Sequence, residues 1–263
     1  MREQLTEVEL DFLWESSGLD ELPYPITVRS HGDTLEERAV LRTRVLTDLA
    51  RRGLVDEHGR PQPHFEDMLG VLAFAECSLD SVLLSAPDAE PRMAVAAAMG
   101  GQGALIVQEA GTVGLERIPT DGLASAIVGQ LPAAPRGKEK SINVPLEELL
   151  TGPGADFMQR RPTTSDGSTA RADEDRKALA RLHVQERKRG GQIGANARGQ
   201  AGSKSRPPVL SWFDTETGRY LTQASKGPDG RDWIVIAPAD APTLRHRLAE
   251  MLASAVEATT VRL

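Results

Sequence analysis

The chain has very few aromatic residues and a single cysteine. Phe, Trp and Tyr together make up 4 % of the 263 residues, and Cys77 is the one cysteine. A single cysteine excludes an intramolecular disulfide and a zinc site built from several thiolates, and it suits a reducing compartment. We therefore expect a cytoplasmic protein without a cysteine-based metal centre.

Long apolar runs are also missing. No stretch approaches the ~20 apolar residues needed to span a bilayer. The first fifteen residues, MREQLTEVELDFLWE, are acidic and amphipathic, which is not the pattern of a signal peptide. Hydrophobic residues make up 40 % and charged residues 26 %, as in ordinary globular proteins. These features predict a globular fold without membrane insertion.

Positive charge is in deficit over the chain as a whole. The formal net charge is −7 and the pI is near 5.4, whereas neutralising nucleic acid phosphates requires a surplus of Lys and Arg. Nucleic acid is therefore not expected as the main partner. The basic, glycine-interrupted stretch 187–206 is a local exception. It keeps one alternative open, a scaffold or regulatory module that binds nucleic acid through this stretch as a loop.

The motifs of known catalytic and metal sites are absent. None of the five histidines lies in an HExxH pattern, and there is no GxSxG nucleophile elbow. Gly100, Gly101 and Gly103 precede a predicted strand, whereas a dinucleotide or phosphate loop needs its glycines between a strand and a helix. We expect no enzyme activity, no metal and no cofactor. An enzyme with a dispersed site is a further alternative that no motif supports.

A β-hairpin is the strongest local prediction. Residues 209–223 contain two runs rich in Val, Leu, Trp, Phe, Tyr and Thr, separated by a polar turn that includes Gly218. Trp212, Tyr220 and Trp233 are three of the five Trp and Tyr residues in the chain. Such a cluster is either a domain core or a surface for a partner.

The other elements follow from periodicity and from Gly, Pro and capping signals. Helices are predicted at 5–17, 34–52, 63–72, from 121, 173–189 and 240–256. Strands are predicted at 22–28, 78–85, 103–108, 114–118, 141–144 and 233–236. Residues 151–172 are rich in Gly, Pro, Ser and Thr, which predicts a mobile loop.

One order of elements occurs twice. ALIVQEAGTVGLERIPTDGLASAIVGQL and RYLTQASKGPDGRDWIVIAPADAPTLRHRLAEML both run strand, turn, strand, proline, acidic cap and helix. Pro119 matches Pro238, and Asp121 matches Asp240. We infer two related halves, at about 1–135 and 141–263, whose strands complete one antiparallel sheet.

Several stretches, in this order, resemble the EspG family, the cytosolic chaperones of actinobacterial type VII (ESX) secretion. They are LTEVELDFLWESSGLDELPYPITVRSHGDTLEER, the GALIVQ strand with PTDGLASAIVGQLP after it, GQIGANAR, FDTETGRYL, and WIVIAPADAPTLRHRLAEML. Together they span nearly the whole chain. The resemblance implies a single α/β domain of the α+β type over 1–263, with a central antiparallel sheet, flanking helices and pseudo-two-fold character.

The resemblance also implies a function and a site. It implies a non-catalytic chaperone that binds a PE–PPE type heterodimer, keeps it soluble and delivers it to the secretion machinery. For the chain itself we expect a monomer or weak dimer. In that family the central sheet and the C-terminal helices grip the apolar helical tip of the client. Carried onto this chain, the candidate sheet contacts are Leu210, Trp212, Asp214, Tyr220 and Thr222, and the candidate loop contacts beside them are Gln192, Asn196 and Arg198.

Overall fold

The computed structural model describes residues 2–86, 88–146, 167–199, 202–227 and 230–260. Eleven strands and six α-helices lie within these ranges. The strands are β1 (Arg2–Thr6), β2 (Cys77–Leu84), β3 (Arg92–Met99), β4 (Gln102–Glu109), β5 (Thr112–Ile118), β6 (Ile142–Pro145), β7 (Arg189–Arg198), β8 (Lys204–Ser205), β9 (Leu210–Thr215), β10 (Gly218–Lys226) and β11 (Asp232–Pro238). The helices are α1 (Glu7–Ser16), α2 (Leu35–Arg51), α3 (Pro63–Ala73), α4 (Leu123–Val128), α5 (Gly167–His183) and α6 (Ala241–Thr260).

All eleven strands belong to one sheet. Ten of them lie in the order β1-β5-β4-β3-β2-β7-β9-β10-β11-β6, and β8 pairs with β7 beside this path. The paired strands run antiparallel, and the predicted β9–β10 hairpin turns at Glu216 and Thr217. The β4–β5 and β10–β11 pairs are also hairpins, as the order strand, turn, strand predicted for each of them. The predicted fold class, an antiparallel sheet flanked by helices, is confirmed.

The strand order has the same pattern on both sides of its centre. Outward from the central β2–β7 pair, β2-β3-β4-β5-β1 on one side corresponds to β7-β9-β10-β11-β6 on the other. In each half the first strand pairs with the last, and a helix follows that last strand, α4 after β5 and α6 after β11. The chain therefore folds as two pseudo-symmetric halves.

Local sequence signals explain where the first two helices begin. The side chains of Thr6 and Thr34 each accept a hydrogen bond from the backbone N–H three residues on. In return, the carboxylates of Glu9 and Glu37 accept a hydrogen bond from the backbone N–H of the capping threonine. These reciprocal pairs are capping boxes, which satisfy N–H groups that have no partner within the helix. Thr6 and Glu9 form the box at the start of α1, and Thr34 and Glu37 form the box at the start of α2. No helix among the described residues has the length and apolar character to cross a bilayer.

The sheet is covered by helices on both faces, but unequally. Register and alternation place the α4–α6 core, which includes Leu123, Leu244 and Leu248, on one face across the central strands. On the opposite face, α1–α3 cover β1, β5, β4 and β3. Helix α5 covers β10, β11 and β6 on that same face, where Tyr220 and Ile236 lie.

The structure corrects several predicted elements. Residues 22–28 are not a strand, because the Gln108 side chain takes the place of a ladder partner and hydrogen-bonds both the N–H and the C=O of Thr27. Residues 5 and 6, predicted as the start of the first helix, belong instead to β1, which pairs with β5. Helix α5 occupies 167–183 instead of 173–189, so residues 167–172 are helical. The rest of the predicted mobile loop, 151–166, lies outside the described residues.

Candidate functional site

Between the two groups of helices on one face, the middle of the sheet has no helix over it in the described part of the chain. We call this strip, over β2, β7 and β9, the central cleft. Register places Val82, Gln192, Ser211 and Thr222 in one row across β2, β7, β9 and β10. Because side chains alternate between the faces of a strand, these four share the face of the cleft. The cleft lies at the centre of the pseudo-symmetric sheet.

A polar cluster forms the floor at one end of the cleft. Asp80, on β2, is 4 % exposed. Its carboxylate accepts hydrogen bonds from Asn196 Nδ2 at 2.8 Å and from Arg206 Nη2 at 3.1 Å. Arg206 Nη1 also donates to Asn196 Oδ1 at 2.6 Å. The guanidinium lies across Gly194, where a Cβ would come within 2.4 Å of Arg206 Nη2.

Arg206 connects this floor to the wall of the cleft. Its guanidinium carbon is 5.8 Å from the ring centre of Tyr24, an exposed residue in the segment between α1 and α2. The hydrogen bonds to Asp80 raise the pKa of Arg206 above its ordinary value, against an opposing effect of burial. A buried carboxylate paired with a permanently charged arginine is electrically balanced. The surrounding cavity has a volume of about 920 Å³, and its lining includes Tyr24, Phe74, Asp80, Asn196 and Arg206.

The other end of the cleft is more apolar. Its cavity has a volume of about 610 Å³, with Val82, Leu84 and Phe213 among its lining residues. Leu84 is an exposed large hydrophobic residue. Gln192, Ser211 and Thr222 add polar groups, and Arg187, Lys188 and Arg189 border the cavity. The Arg187 guanidinium carbon lies 4.8 Å from the centre of the Phe213 ring, which is within the range of a cation–π contact. This arrangement suits a docked protein segment with an apolar tip.

An ionic cluster lies beneath the sheet, on the α4–α6 face. Asp214 accepts from Arg219 Nε at 2.7 Å and Nη2 at 2.8 Å, and from Arg189 Nε at 2.6 Å. The two arginines also donate to the backbone carbonyls of Pro132 and Ala133. Through these two arginines, Asp214 fixes residues 132 and 133, in the connection between the two halves, to the strands of the second half. This is a structural role.

The model of one protein family, the EspG family, matches residues 6–250. The chain belongs to the EspG family.

A solved structure agrees with this membership in fold. It is the Mycobacterium tuberculosis type VII secretion system chaperone EspG5 in complex with a PE25–PPE41 dimer. Its TM-score to this EspG family chain is 0.68 at 12 % sequence identity, over 97 % of this chain and 96 % of that chain. No curated protein matches the chain in sequence.

Four of the eight predicted contact residues lie in the core of this EspG family protein. Leu210 and Trp212 pack under α4 and α6, Asp214 belongs to the ionic cluster, and Tyr220 packs in the α5 core. Their exposed fractions are 0, 1, 3 and 0 % respectively. In this structure their side chains are enclosed, and a docked partner would have to unpack the sheet to reach them. As contacts with a partner, these four residues stay a prediction.

The other four predicted residues face the open side of the sheet. Gln192 and Thr222 lie in the apolar end of the cleft, and Asn196 lies in the polar end. Arg198, at the end of β7, is exposed and borders the polar end. The predicted loop at Gln192, Asn196 and Arg198 is instead strand β7, whose backbone pairs with β2 on one side and β9 on the other.

Sequence reasoning missed Asp80, Arg206, Val82 and Phe213 as parts of the cleft. A charged residue in the apolar strand 78–85 was the one signal for Asp80, since a buried carboxylate requires a partner. Nothing local pairs Asp80 with Arg206, which lies 126 residues further on. The neighbours of Val82 and Phe213 likewise depend on the β2–β7–β9 pairing.

The basic stretch 187–206 is not a loop presented for nucleic acid. Residues 189–198 form strand β7, and residues 204–205 form the short strand β8. Arg189 is bound to Asp214 and Arg206 to Asp80, so two of its charges are balanced within the protein. No observation on the described residues favours the nucleic acid alternative.

Proposed function

We propose that this EspG family chain is a non-catalytic chaperone of type VII secretion. It binds a PE–PPE type heterodimer in the cytoplasm, keeps it soluble, and delivers it to the secretion machinery. It acts as a single domain, a monomer or weak dimer, and needs no cofactor or metal. Family membership, with the similarity in fold to a chaperone solved with a PE25–PPE41 dimer, supports this assignment.

The central cleft is the observation on which the proposal rests. Burying the apolar surface of a helical tip stabilises a complex by roughly 25 cal/mol for each Å² removed from water. Val82, Leu84 and Phe213 offer apolar surface for this, and Gln192 and Thr222 offer hydrogen bonds at the same floor. The floor is a sheet held by pairing on both sides, which limits the ordering cost of binding. We propose Gln192, Thr222, Asn196 and Arg198 as contacts with the client.

Co-expression followed by size-exclusion chromatography tests the function. The chain is co-expressed with each PE–PPE type pair of the genome that encodes it, and we expect one pair to co-elute with it as a complex. If every pair stays insoluble or elutes alone, the proposed function is wrong for this chain.

A matched pair of substitutions tests the site. Gln192→Trp puts a large side chain on the exposed floor of the cleft without touching the core, and we expect it to abolish co-elution. Gln4→Trp makes the same change at an exposed position of β1, outside the cleft, and we expect co-elution to persist. Binding that survives Gln192→Trp would place the client elsewhere.

A further inference from the structure

The two ends of the central cleft differ in charge. The polar end is lined by three carboxylates, Asp20, Glu21 and Asp80, and by three cationic side chains, Arg198, Lys204 and Arg206. The apolar end is lined by three cationic side chains and by no carboxylate. The charged side chains that line the polar end therefore balance, whereas those that line the apolar end are all positive.

Two of the three cations at the apolar end are available to a partner. Arg189 is held by Asp214 on the opposite face. Arg187 is exposed and stacks over Phe213, so its charge stands directly beside the apolar floor. Lys188 is 54 % exposed, and its partner Glu216 has a carboxylate oxygen 4.0 Å away and is 75 % exposed. Such a surface pair is weak and exchanges readily for another carboxylate.

This positive end is a local departure from the charge of the whole molecule. The net charge of −7 makes the surface repel acidic partners on average. A cationic border on a concave apolar floor raises the local concentration of negative groups, because water is partly excluded there. An acidic segment is therefore directed to this end of the cleft and away from the rest of the surface.

From this geometry we infer the chemistry of the bound segment, an inference that rests on the proposed function. The client tip that enters the Val82–Phe213 end is apolar at its apex and carries at least one carboxylate beside the apex, facing Arg187 and Lys188. The apolar apex occupies the floor made by Val82, Leu84 and Phe213. The carboxylate sets the orientation of the tip and speeds its arrival, since charges at the rim of an interface act mainly on association rate.

The test measures affinity and association rate on the complex that co-elutes. We expect the double variant Arg187→Glu/Lys188→Glu to bind about tenfold more weakly, with most of the loss in the association rate. Arg44→Glu is the matched control, because Arg44 is an exposed arginine on α2, outside the cleft. We expect it to bind as the wild type does. The wild-type affinity should also fall as NaCl rises from about 0.05 M to about 0.5 M, as the Debye length shortens.

A charge exchange completes the test. Replacing the acidic residue beside the apex of the client by lysine should weaken binding to the wild type and restore binding to the double variant. If a wild-type complex forms but the double variant binds equally well at every salt concentration, the inference is overturned while the proposed function stands. If no client co-elutes with the wild type, the proposed function fails and the inference fails with it.

Discussion

At the scale of the residue, Asp214 is a polar side chain in a hairpin that lies inside the protein and not on its surface. Its carboxylate is enclosed with Arg219, which is itself 3 % exposed and stacks 4.5 Å from the Trp212 ring centre. A buried arginine that loses its carboxylate partner keeps its charge and has no solvent to stabilise it.

We predict that Asp214→Asn lowers the free energy of unfolding by about 3–5 kcal/mol, because it leaves Arg219 buried without its counter-charge. Urea denaturation measures the change. Glu216→Gln, in the exposed turn two residues on, is the control and should change the free energy of unfolding by less than about 0.5 kcal/mol. Equal effects at the two positions would show that the ionic cluster does not stabilise the fold.

At Gly137, the ring of Tyr220 and the backbone of Arg219 lie too close to leave room for a side chain. A Cβ there would lie 2.4 Å from Tyr220 Cζ and 2.8 Å from the backbone oxygen of Arg219. The Tyr220 hydroxyl accepts hydrogen bonds from the N–H groups of Lys138 and Glu139, so the ring is not free to move.

We predict that Gly137→Ala destabilises the protein by about 1–3 kcal/mol through this overlap. Gly70→Ala provides the opposite case, because Gly70 is inside α3 and a Cβ there meets nothing within 4 Å. That substitution should stabilise by about 0.4–1 kcal/mol. Thermal unfolding of both variants is the measurement, and a stabilising Gly137→Ala would contradict the predicted contact.

At the scale of the element, one carboxylate joins α1 to α2. Asp11 of α1 accepts from Arg38 of α2 at 2.9 and 3.1 Å and from the backbone N–H of His31 at 2.8 Å. Burial raises the pKa of Asp11, but the hydrogen bonds from Arg38 and His31 outweigh it and leave the pKa below its ordinary value of 3.8. A lowered folded-state pKa means that the unfolded chain binds the proton more tightly.

The stabilisation from Asp11 is therefore fully present above the ordinary pKa and is lost as the pH falls through the folded-state pKa. We predict that Asp11→Asn reduces the dependence of stability on pH in this acid range, and that Arg38→Gln does the same. In a double-mutant cycle the two effects should sum to more than the effect of the double variant, because each substitution removes the Asp11–Arg38 interaction. Arg38→Gln also removes the hydrogen bonds of Arg38 to Glu15 and to the carbonyl of His31. Urea denaturation at a series of acid pH values measures this, and additive effects would rule out the coupling.

At the scale of the whole molecule, the two halves share the central β2–β7 pair and the connection held by Arg189 and Arg219. Neither half has an independent sheet edge at that joint. We propose that the two halves unfold together in one cooperative transition, as is usual for a single domain.

Tryptophan positions allow this to be measured, since Trp14 is buried in the first half and Trp212 and Trp233 lie in the second. We predict coincident urea transitions by fluorescence and by far-UV circular dichroism in Trp14→Phe, which reports the second half. The same coincidence is expected in Trp212→Phe/Trp233→Phe, which reports the first. Separate transitions within either variant would show that the halves unfold independently.

Local sequence determined much of this protein. The capping boxes at Thr6 and Thr34, the β9–β10 hairpin and the doubled strand-turn-strand-helix order all follow from neighbouring residues, because each depends on contacts within a few positions. The family resemblance was equally readable from the order of its stretches, and the family is confirmed.

Only the tertiary structure decided which face of the hairpin is open and what lies beside it. Alternation separates Trp212 from Phe213 but does not say which of them a helix will cover, and that depended on where α5 and α6 pack. The strand at Arg189–Arg198, with its three glycines, has a weak local preference and became a central strand through pairing with β2 and β9. The cleft itself joins residues more than a hundred positions apart, such as Asp80 and Arg206, whose proximity no short-range signal carries.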